Sequence, residues 1–462
     1  MMLKYKYLVP FEQEEFSFQG AHCYYNDTKC FLLSNFGTTI ILDRALMTEI
    51  DNASVSDNLA FKLYQRGFAT AYNNPRFIDH PFEIKPTLFM IDFTTKCNCN
   101  CIYCLRHFED VGDSISLEQL DKITDYIIDY CRKHRINNIS FQPWGGEPMI
   151  ELEKVIHCKN RFANAGVNAA FTIQTNGLLL TLENYKKLRD NDIHIGVSID
   201  GLAEVHDAHR LDVHGNKTHN KIVNNLKVIL EQYPDCNIGT LSVNSAYSMD
   251  NISEDVDFIV NHIGISNIKF NLVHPSGGCD FNEEILISKE NLPEYIARVL
   301  KAVIEQINKE NRCYESNIAD KLCNLMGLPK DNMCNSMGCR GGVTFISFDR
   351  DGNIFPCEMI GRPEMKLGNV SDGDDLIELI VKAHDDNPYY APRKVDSCSG
   401  CPFFYYCRGG CKACSLAYGK EAAEIDDIEC EINKALYPML IELILDNPEL
   451  AEKIIDKQHR IS

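Results

Sequence analysis

The sequence contains no run of Lys or Arg, no low-complexity tract, and no apolar stretch approaching the roughly 18 residues of a membrane span. Each absence removes a class of function. With 46 basic against 66 acidic residues, the net charge is −20, so long-range attraction to nucleic acid or anionic lipid is not expected. Partners are expected to be small molecules or proteins. The N-terminal stretch MMLKYKYLVPFEQEEF lacks the apolar core and small-residue cleavage site of a secretory signal, so a cytoplasmic location is expected. A composition of 45% apolar and 24% charged residues over 462 positions excludes a disordered chain and leaves room for about three domains with real cores.

What the sequence does have is cysteine: 21 residues, too many for a reducing compartment unless they bind metal, react or pack. They fall in groups. The first is Cys97, Cys99, Cys101 and Cys104; the others are Cys334, Cys339, Cys357 and then Cys398, Cys401, Cys407, Cys411, Cys414. Cys131, Cys158, Cys236 and Cys279 lie between these groups without ligand-like spacing and read as structural thiols.

Residues 1–82 read as a small α+β unit, with strands around Ala21 to Tyr25 and Cys30 to Leu33, helices between Asp43 and Phe68, and a polar, proline-bearing linker after Asn73. From Thr87, short apolar runs alternate with amphipathic helical stretches about six times. The strand candidates are Leu88 to Phe93, Asn138 to Gln142, Ala169 to Gln174, Ile193 to Ile199, Ile238 to Val243 and Ile268 to Leu272. Helices are expected at Ser116 to Lys133, opened by a capping-box-like Ser116 and Gln119, and at Lys217 to Gln232. This order predicts an α/β fold with a parallel sheet and right-handed crossovers, a partial (β/α)6 barrel with its chemistry at the C-terminal strand ends. A long helical region from Ser288 to about Leu328 should separate this barrel (83–328) from a Cys-rich domain (329–435). A helical tail (436–462) follows, with Pro438 expected to kink its helix.

Cys97-x3-Cys101-x2-Cys104 directly follows the first strand. Three thiolates on one loop can hold a four-iron cluster with one iron left open for a ligand, whereas structural zinc would want a fourth protein ligand. The spacing, with Asn98 after the first cysteine and Tyr103 before the third, resembles the signature of radical S-adenosylmethionine (radical SAM) enzymes. Later strand ends add to the resemblance. Trp144-Gly145-Gly146-Glu147-Pro148 looks like the family's GGEP element, Thr175-Asn176-Gly177 follows the third strand, and Ser198 with Asp200-Gly201 ends the fourth. Read residue by residue, the glycines permit close backbone approach to a ligand and Glu147 can accept from a cationic amino group. The bland alternative for the GG, NG and DG pairs is three ordinary turns.

The resemblance implies that Cys97, Cys101 and Cys104 hold a [4Fe-4S] cluster whose open iron chelates S-adenosyl-L-methionine. Gly145, Gly146, Glu147, Pro148, Asn176, Ser198 and Tyr103 would contact that cofactor, Tyr103 at its adenine. The cluster would donate one electron and release a 5'-deoxyadenosyl radical. Downstream, Cys339-x12-Gly352-x4-Cys357, Cys398-x2-Cys401-x5-Cys407-x3-Cys411 and Cys430 resemble the seven-cysteine SPASM extension of radical SAM peptide maturases. That resemblance implies two auxiliary [4Fe-4S] clusters, one on Cys334, Cys339, Cys357 and Cys411 and one on Cys398, Cys401, Cys407 and Cys430. Cys414 is a possible replacement for Cys411, an open iron remains if Cys334 is not a ligand, and a zinc-ribbon array is the alternative on spacing alone.

By the same resemblance, Glu358 is a candidate base for a substrate radical, against the plainer reading of an exposed carboxylate. His206, Asp207 and Arg210 read as loop-ordering residues, His274 as a cavity-facing or solvated histidine, and Cys279 as an unactivated thiol. Residues 1–82 resemble the winged-helix-like leader-recognition domains of peptide maturases, against an unrelated packing appendage. The expected function is oxidative modification of a ribosomally made precursor peptide bearing a leader, by a thioether or carbon-carbon cross-link or a side-chain oxidation, with electrons from a donor such as flavodoxin or ferredoxin. The alternatives are sulfatase maturation, oxidation of a small alcohol, or a non-catalytic iron-sulfur or zinc protein.

Overall fold

The computed structural model describes residues 3–13, 16–71, 83–106, 112–275, 283–328, 334 and 338–455. At its centre are the six strands expected from the apolar runs: Leu88–Thr94, Asn138–Gly145, Asn168–Thr175, Ile193–Ser198, Ile238–Asn244 and Asn267–Leu272. They lie side by side in chain order and pair in parallel throughout. The sheet is open rather than closed, and it extends past the six at both sides. Tyr314–Glu315 adds in parallel beyond Asn267–Leu272, and Phe345–Phe348 adds in parallel beside Leu88–Thr94. Asn353–Phe355 and Gly368–Asn369 then continue antiparallel, so the Cys-rich region is hydrogen-bonded into the same ten-stranded sheet.

The strands alternate buried and exposed side chains at their starts, which sends Phe141 and Phe171 into the layer beneath the helices. Their rings stack at 4.4 Å, and Phe162 from the helix Leu152–Asn164 meets Phe141 at 5.5 Å. Ser116 caps the helix Leu117–Lys133 by accepting the Gln119 N–H at 3.1 Å. The long helical region expected after Ser288 is divided. Leu292–Asn308 ends, the chain turns at Glu310 with φ 64°, and Ser316–Leu325 begins a second helix. The cause is Glu315, which is buried, accepts the Phe270 N–H at 3.0 Å, and caps the second helix through the Ile318 N–H at 2.8 Å.

The helix Asp427–Asp446 runs through Pro438 and across the boundary expected at 435. It also carries the N-terminal unit. That unit's antiparallel sheet, ordered Lys4–Leu8, Ala21–Tyr25, Lys29–Leu33, Thr39–Asp43, buries Cys23, Cys30 and Leu32 against its own helices. Its other face sends Tyr24, Phe31 and Leu33 into the main core, where Tyr24 stacks on Phe403 at 6.0 Å. Asn26 donates to Asp446 at 2.8 Å and Tyr406 donates to the Gly37 carbonyl at 2.7 Å. Among the described residues no helix is long and apolar enough to cross a membrane.

Truncating Phe141 to Ala removes the ring common to this aromatic layer. We expect a stability loss of about 3–5 kcal/mol in urea denaturation followed by the fluorescence of Trp144, the chain's single tryptophan. A loss under about 1 kcal/mol would contradict the packing described.

Candidate iron-sulfur and cofactor site

The segment after Leu88–Thr94 is held from two sides. Gly146 N–H donates to the Thr94 carbonyl at 2.6 Å and Glu147 N–H to that of Lys96 at 2.8 Å. On the other side, Cys99–Cys101 pairs antiparallel with Arg210–Asp212. Between these holds, the thiols of Cys97, Cys101 and Cys104 face one another closely enough to interact electrostatically. Hydrogen-bond donors surround them. Cys99 N–H reaches Cys97 Sγ at 3.4 Å, Asn176 Nδ2 reaches it at 3.8 Å, and Arg210 reaches Cys101 Sγ at 3.9 Å. Burial pushes the Cys97 thiol up to about 12. The thiol of Cys99 hydrogen-bonds Cys101 and, with the Arg210 guanidinium, draws the Cys101 thiol below its ordinary value.

The glycine pair has a steric reason. A Cβ on Gly145 would lie 2.2 Å from the Thr94 carbonyl oxygen, and one on Gly146 would lie 2.3 Å from that of Lys96. The close approach these glycines permit is between two segments of the chain. Gly145 also has φ 131° and sits where the register with Leu88–Thr94 shifts. Pro148 then opens a short 3-10 turn, where a proline costs no hydrogen bond. Glu147 is fully buried and accepts from Met149 N–H at 3.0 Å, Thr175 Oγ1 at 2.8 Å and Asn176 N–H at 2.7 Å. Burial raises its carboxyl above the usual range while these donors oppose the rise. It thus ties the second strand end to the third. Asn176 turns its amide to Asn98 at 2.6 Å, beside Cys97.

Tyr103 is buried, and its hydroxyl donates to Asp200, which also takes Arg210 Nε at 3.0 Å. Burial works to raise the Asp200 carboxyl, but Arg210, His209 and the Tyr103 hydroxyl outweigh it and hold it well below the carboxylate range. Ser198 is half-buried at its strand end, in register with Leu241. His206 and Asp207 order the adjoining loop: His206 Nδ1 accepts the Asp200 N–H at 3.1 Å, and Asp207 accepts the backbone N–H groups of Thr218 and His219. Burial draws the His274 imidazole down to about 4. Cys279 lies outside the described residues.

The C-terminal thiols form two groups. Cys334, Cys339, Cys357 and Cys411 interact electrostatically with one another, and the Tyr389 hydroxyl lies 3.1 Å from Cys339 Sγ. Cys414 is buried beside Cys411, to whose sulfur its N–H donates at 3.4 Å, and its own thiol is engaged by Asp426. Cys398, Cys401, Cys407 and Cys430 line one small cavity walled by Phe403, Phe404 and Ile425. Four thiols around one cavity are a donor set suited to a four-iron cluster. Among the described residues no three His, Cys, Asp or Glu side chains converge on a point where a single ion would sit.

A larger cavity of about 290 Å³ lies between the first cysteine loop and Cys357. Its walls include Leu105, Arg106, Trp144, Arg350, Cys357 and Glu358. Asp92 joins its two sides. This buried carboxylate takes Arg106 at 2.7 Å and Arg350 at 2.6 Å on the same oxygen. Glu358 lies at the far wall, 3.1 Å from Cys357 Sγ, with its carboxyl raised by burial. Asp92, Arg106 and Arg350 were not singled out from sequence. The one signal was an acidic residue inside the apolar run Leu88–Thr94, which requires a buried partner.

Residues 91–259 match the radical SAM superfamily, so the chain carries a radical SAM domain over those residues. It is 22% identical over 334 residues to a cysteine-type anaerobic sulfatase-maturating enzyme of Clostridium novyi (strain NT), covering 69% of this chain and 86% of that protein. A serine-type anaerobic sulfatase-maturating enzyme of Bacteroides thetaiotaomicron is 25% identical over 358 residues, covering 72% and 83%. The structure of native anSMEcpe with bound AdoMet superposes with a TM-score of 0.65 at 20% identity, covering 78% of this chain and 100% of that one. Streptococcus suis SuiB bound to precursor peptide SuiA superposes with a TM-score of 0.53 at 17% identity, covering 90% and 99%. These superpositions place the chain in one fold with those enzymes.

Gly146→Ala drives a methyl group into the Lys96 carbonyl and displaces the Cys97 segment. The variant is expected to fold, by circular dichroism, yet to bind about four irons fewer than the parent after anaerobic reconstitution. Unchanged iron content would show that this contact does not position the loop.

Proposed function

We propose that this radical SAM enzyme oxidatively modifies a side chain of a ribosomally made peptide held in the cavity between the first cysteine loop and Cys357. The observation that carries the reading is the cavity itself, which joins Arg106, two residues past Cys104, to Cys357 and Glu358 of the Cys-rich domain. Cys97, Cys101 and Cys104 would hold the [4Fe-4S] cluster and leave one iron for S-adenosyl-L-methionine. When bound, these groups supply a 5'-deoxyadenosyl radical that takes a hydrogen atom from the substrate.

The chain's own residues then orient and shield. Asn176 and Arg210 donate toward the cluster thiolates and favour their negative charge. Tyr103, fixed by Asp200, together with Gly145, Gly146, Glu147, Pro148 and Ser198 at the strand ends, forms the cofactor wall. Asp92 holds Arg106 and Arg350 across the cavity and so fixes the distance over which a substrate side chain spans the two domains. Glu358 would take a proton from the substrate radical at its carboxylate, and the auxiliary clusters would accept the accompanying electron. Cys334, Cys339, Cys357 and Cys411 would hold one auxiliary [4Fe-4S] cluster, and Cys398, Cys401, Cys407 and Cys430 a second.

The N-terminal sheet offers two edge strands, Lys4–Leu8 and Thr39–Asp43, each paired on one side only. A leader segment adding to an edge gains main-chain hydrogen bonds with little demand on sequence. Exposed Tyr5, Tyr7 and Ile41 on these strands supply apolar contacts. A sulfatase is the second reading for the substrate, favoured by the relatives described above. Electrons would come from a cytoplasmic donor such as flavodoxin or ferredoxin. On this reading the domains are 1–82, 83–328 and 329–435 with a tail at 436–462, the last limit falling within the helix Asp427–Asp446.

Anaerobically reconstituted protein given dithionite and S-adenosyl-L-methionine should release 5'-deoxyadenosine and methionine. If neither forms, the radical reading fails and an electron-transfer or scaffold role replaces it. Replacing Cys97, Cys101 and Cys104 together by Ala should abolish that cleavage and leave about eight irons bound, four per remaining cluster. Loss of all iron in the triple variant would overturn the separation into distinct sites.

A further inference from the structure

The four-cysteine cavity lined by Cys398, Cys401, Cys407 and Cys430 has two polar side chains in its wall, Asn433 and Lys434. Both come from the helix that supplies Cys430. Lys434 follows Cys430 by four residues, so the two side chains share one helix face and line the same cavity, with Glu431 3.2 Å from the ammonium. Asn433 is buried and shares the cavity wall with Cys407. Its orientation is set from behind. The ammonium of Lys321, itself buried, holds the Asn433 amide oxygen at 2.7 Å and Glu429 at 2.5 Å. With its oxygen held, the amide can turn only its N–H groups outward, one to Glu429 at 3.0 Å and the other to the cavity that Cys407 also lines.

At the other four-cysteine group a carboxylate touches a thiol directly. A Glu358 oxygen lies 3.1 Å from Cys357 Sγ, and Asp426 takes the Cys411 N–H at 3.1 Å. Donors and positive charge near cluster sulfurs favour the reduced, more negative state, whereas neighbouring carboxylates oppose it.

We propose that Lys434 and Asn433, with Lys321 as the positioning residue behind Asn433, hold the Cys398/Cys401/Cys407/Cys430 site at a more positive reduction potential than it would otherwise have. The inference rests on the reading that this site holds an iron-sulfur cluster. Buried Lys321 acquires a role on this account: its pairing with Glu429 and the Asn433 oxygen fixes the orientation of the Asn433 amide.

The test uses full-length holoprotein in which Cys97, Cys101 and Cys104 are Ala, leaving the two auxiliary sites for potentiometric titration by electron paramagnetic resonance. Lys434, whose side chain is 56% exposed, tolerates replacement. Lys434→Met should move one of the two midpoints to more negative potential and leave the other in place, and Lys434→Arg should restore it. Asn433→Leu should move the same midpoint in the same direction. A midpoint that stays put in Lys434→Met, or moves positive, overturns the inference while the cluster reading stands. A parent protein with no second auxiliary cluster overturns the cluster reading, and this inference with it.

Discussion

The first site depends on two backbone hydrogen bonds, from Gly146 N–H to the Thr94 carbonyl and from Glu147 N–H to that of Lys96. They lay the end of the second core strand against the segment that leads into Cys97. A side chain at either glycine would push the two apart, so the contact requires Gly-Gly at this place. Glu147 extends the tie to the third strand end through Thr175 and Asn176, and Asn176 returns to Asn98 beside Cys97. Three strand ends and the cysteine loop are thereby closed into one ring of hydrogen bonds.

Electrostatics explains how a chain of net charge −20 can gather thiolates at buried sites. Near the first loop the compensating charge is Arg210, held by Asp200 and aimed at Cys101. Across the large cavity it is Arg106 and Arg350, one from each domain, sharing a single Asp92 oxygen. Removing one partner of such a buried arrangement strands the other charges, so each triad also acts as a clamp on the segments that supply it. The Asp92 clamp joins residues that are 258 positions apart and couples the cysteine loop to the hairpin carrying Cys357.

The six core strands were legible because each is a short apolar run separated by a helix, a pattern that period and length decide without tertiary information. The interleaved cysteine sets were read from a family resemblance rather than from spacing alone, and of them Cys398, Cys401, Cys407 and Cys430 line one cavity. Other features depended on contacts no local pattern reports. The division of the helical region after Ser288 turns on Glu315 finding the Phe270 N–H on a neighbouring strand. The Asp92 clamp needed two arginines from distant segments. The parallel pairing of Phe345–Phe348 with Leu88–Thr94, which makes the Cys-rich domain part of the central sheet, is likewise set by tertiary packing.

The central claim is that the chain's cysteines divide into three separate iron-binding sets. X-ray diffraction from crystals of the anaerobically reconstituted protein, measured above and below the iron absorption edge, tests it most directly. The account predicts three anomalous iron centres: one at Cys97, Cys101 and Cys104, one among Cys334, Cys339, Cys357 and Cys411, and one in the cavity of Cys398, Cys401, Cys407 and Cys430. A signal at the zinc edge in place of iron, or fewer than three centres, would contradict it.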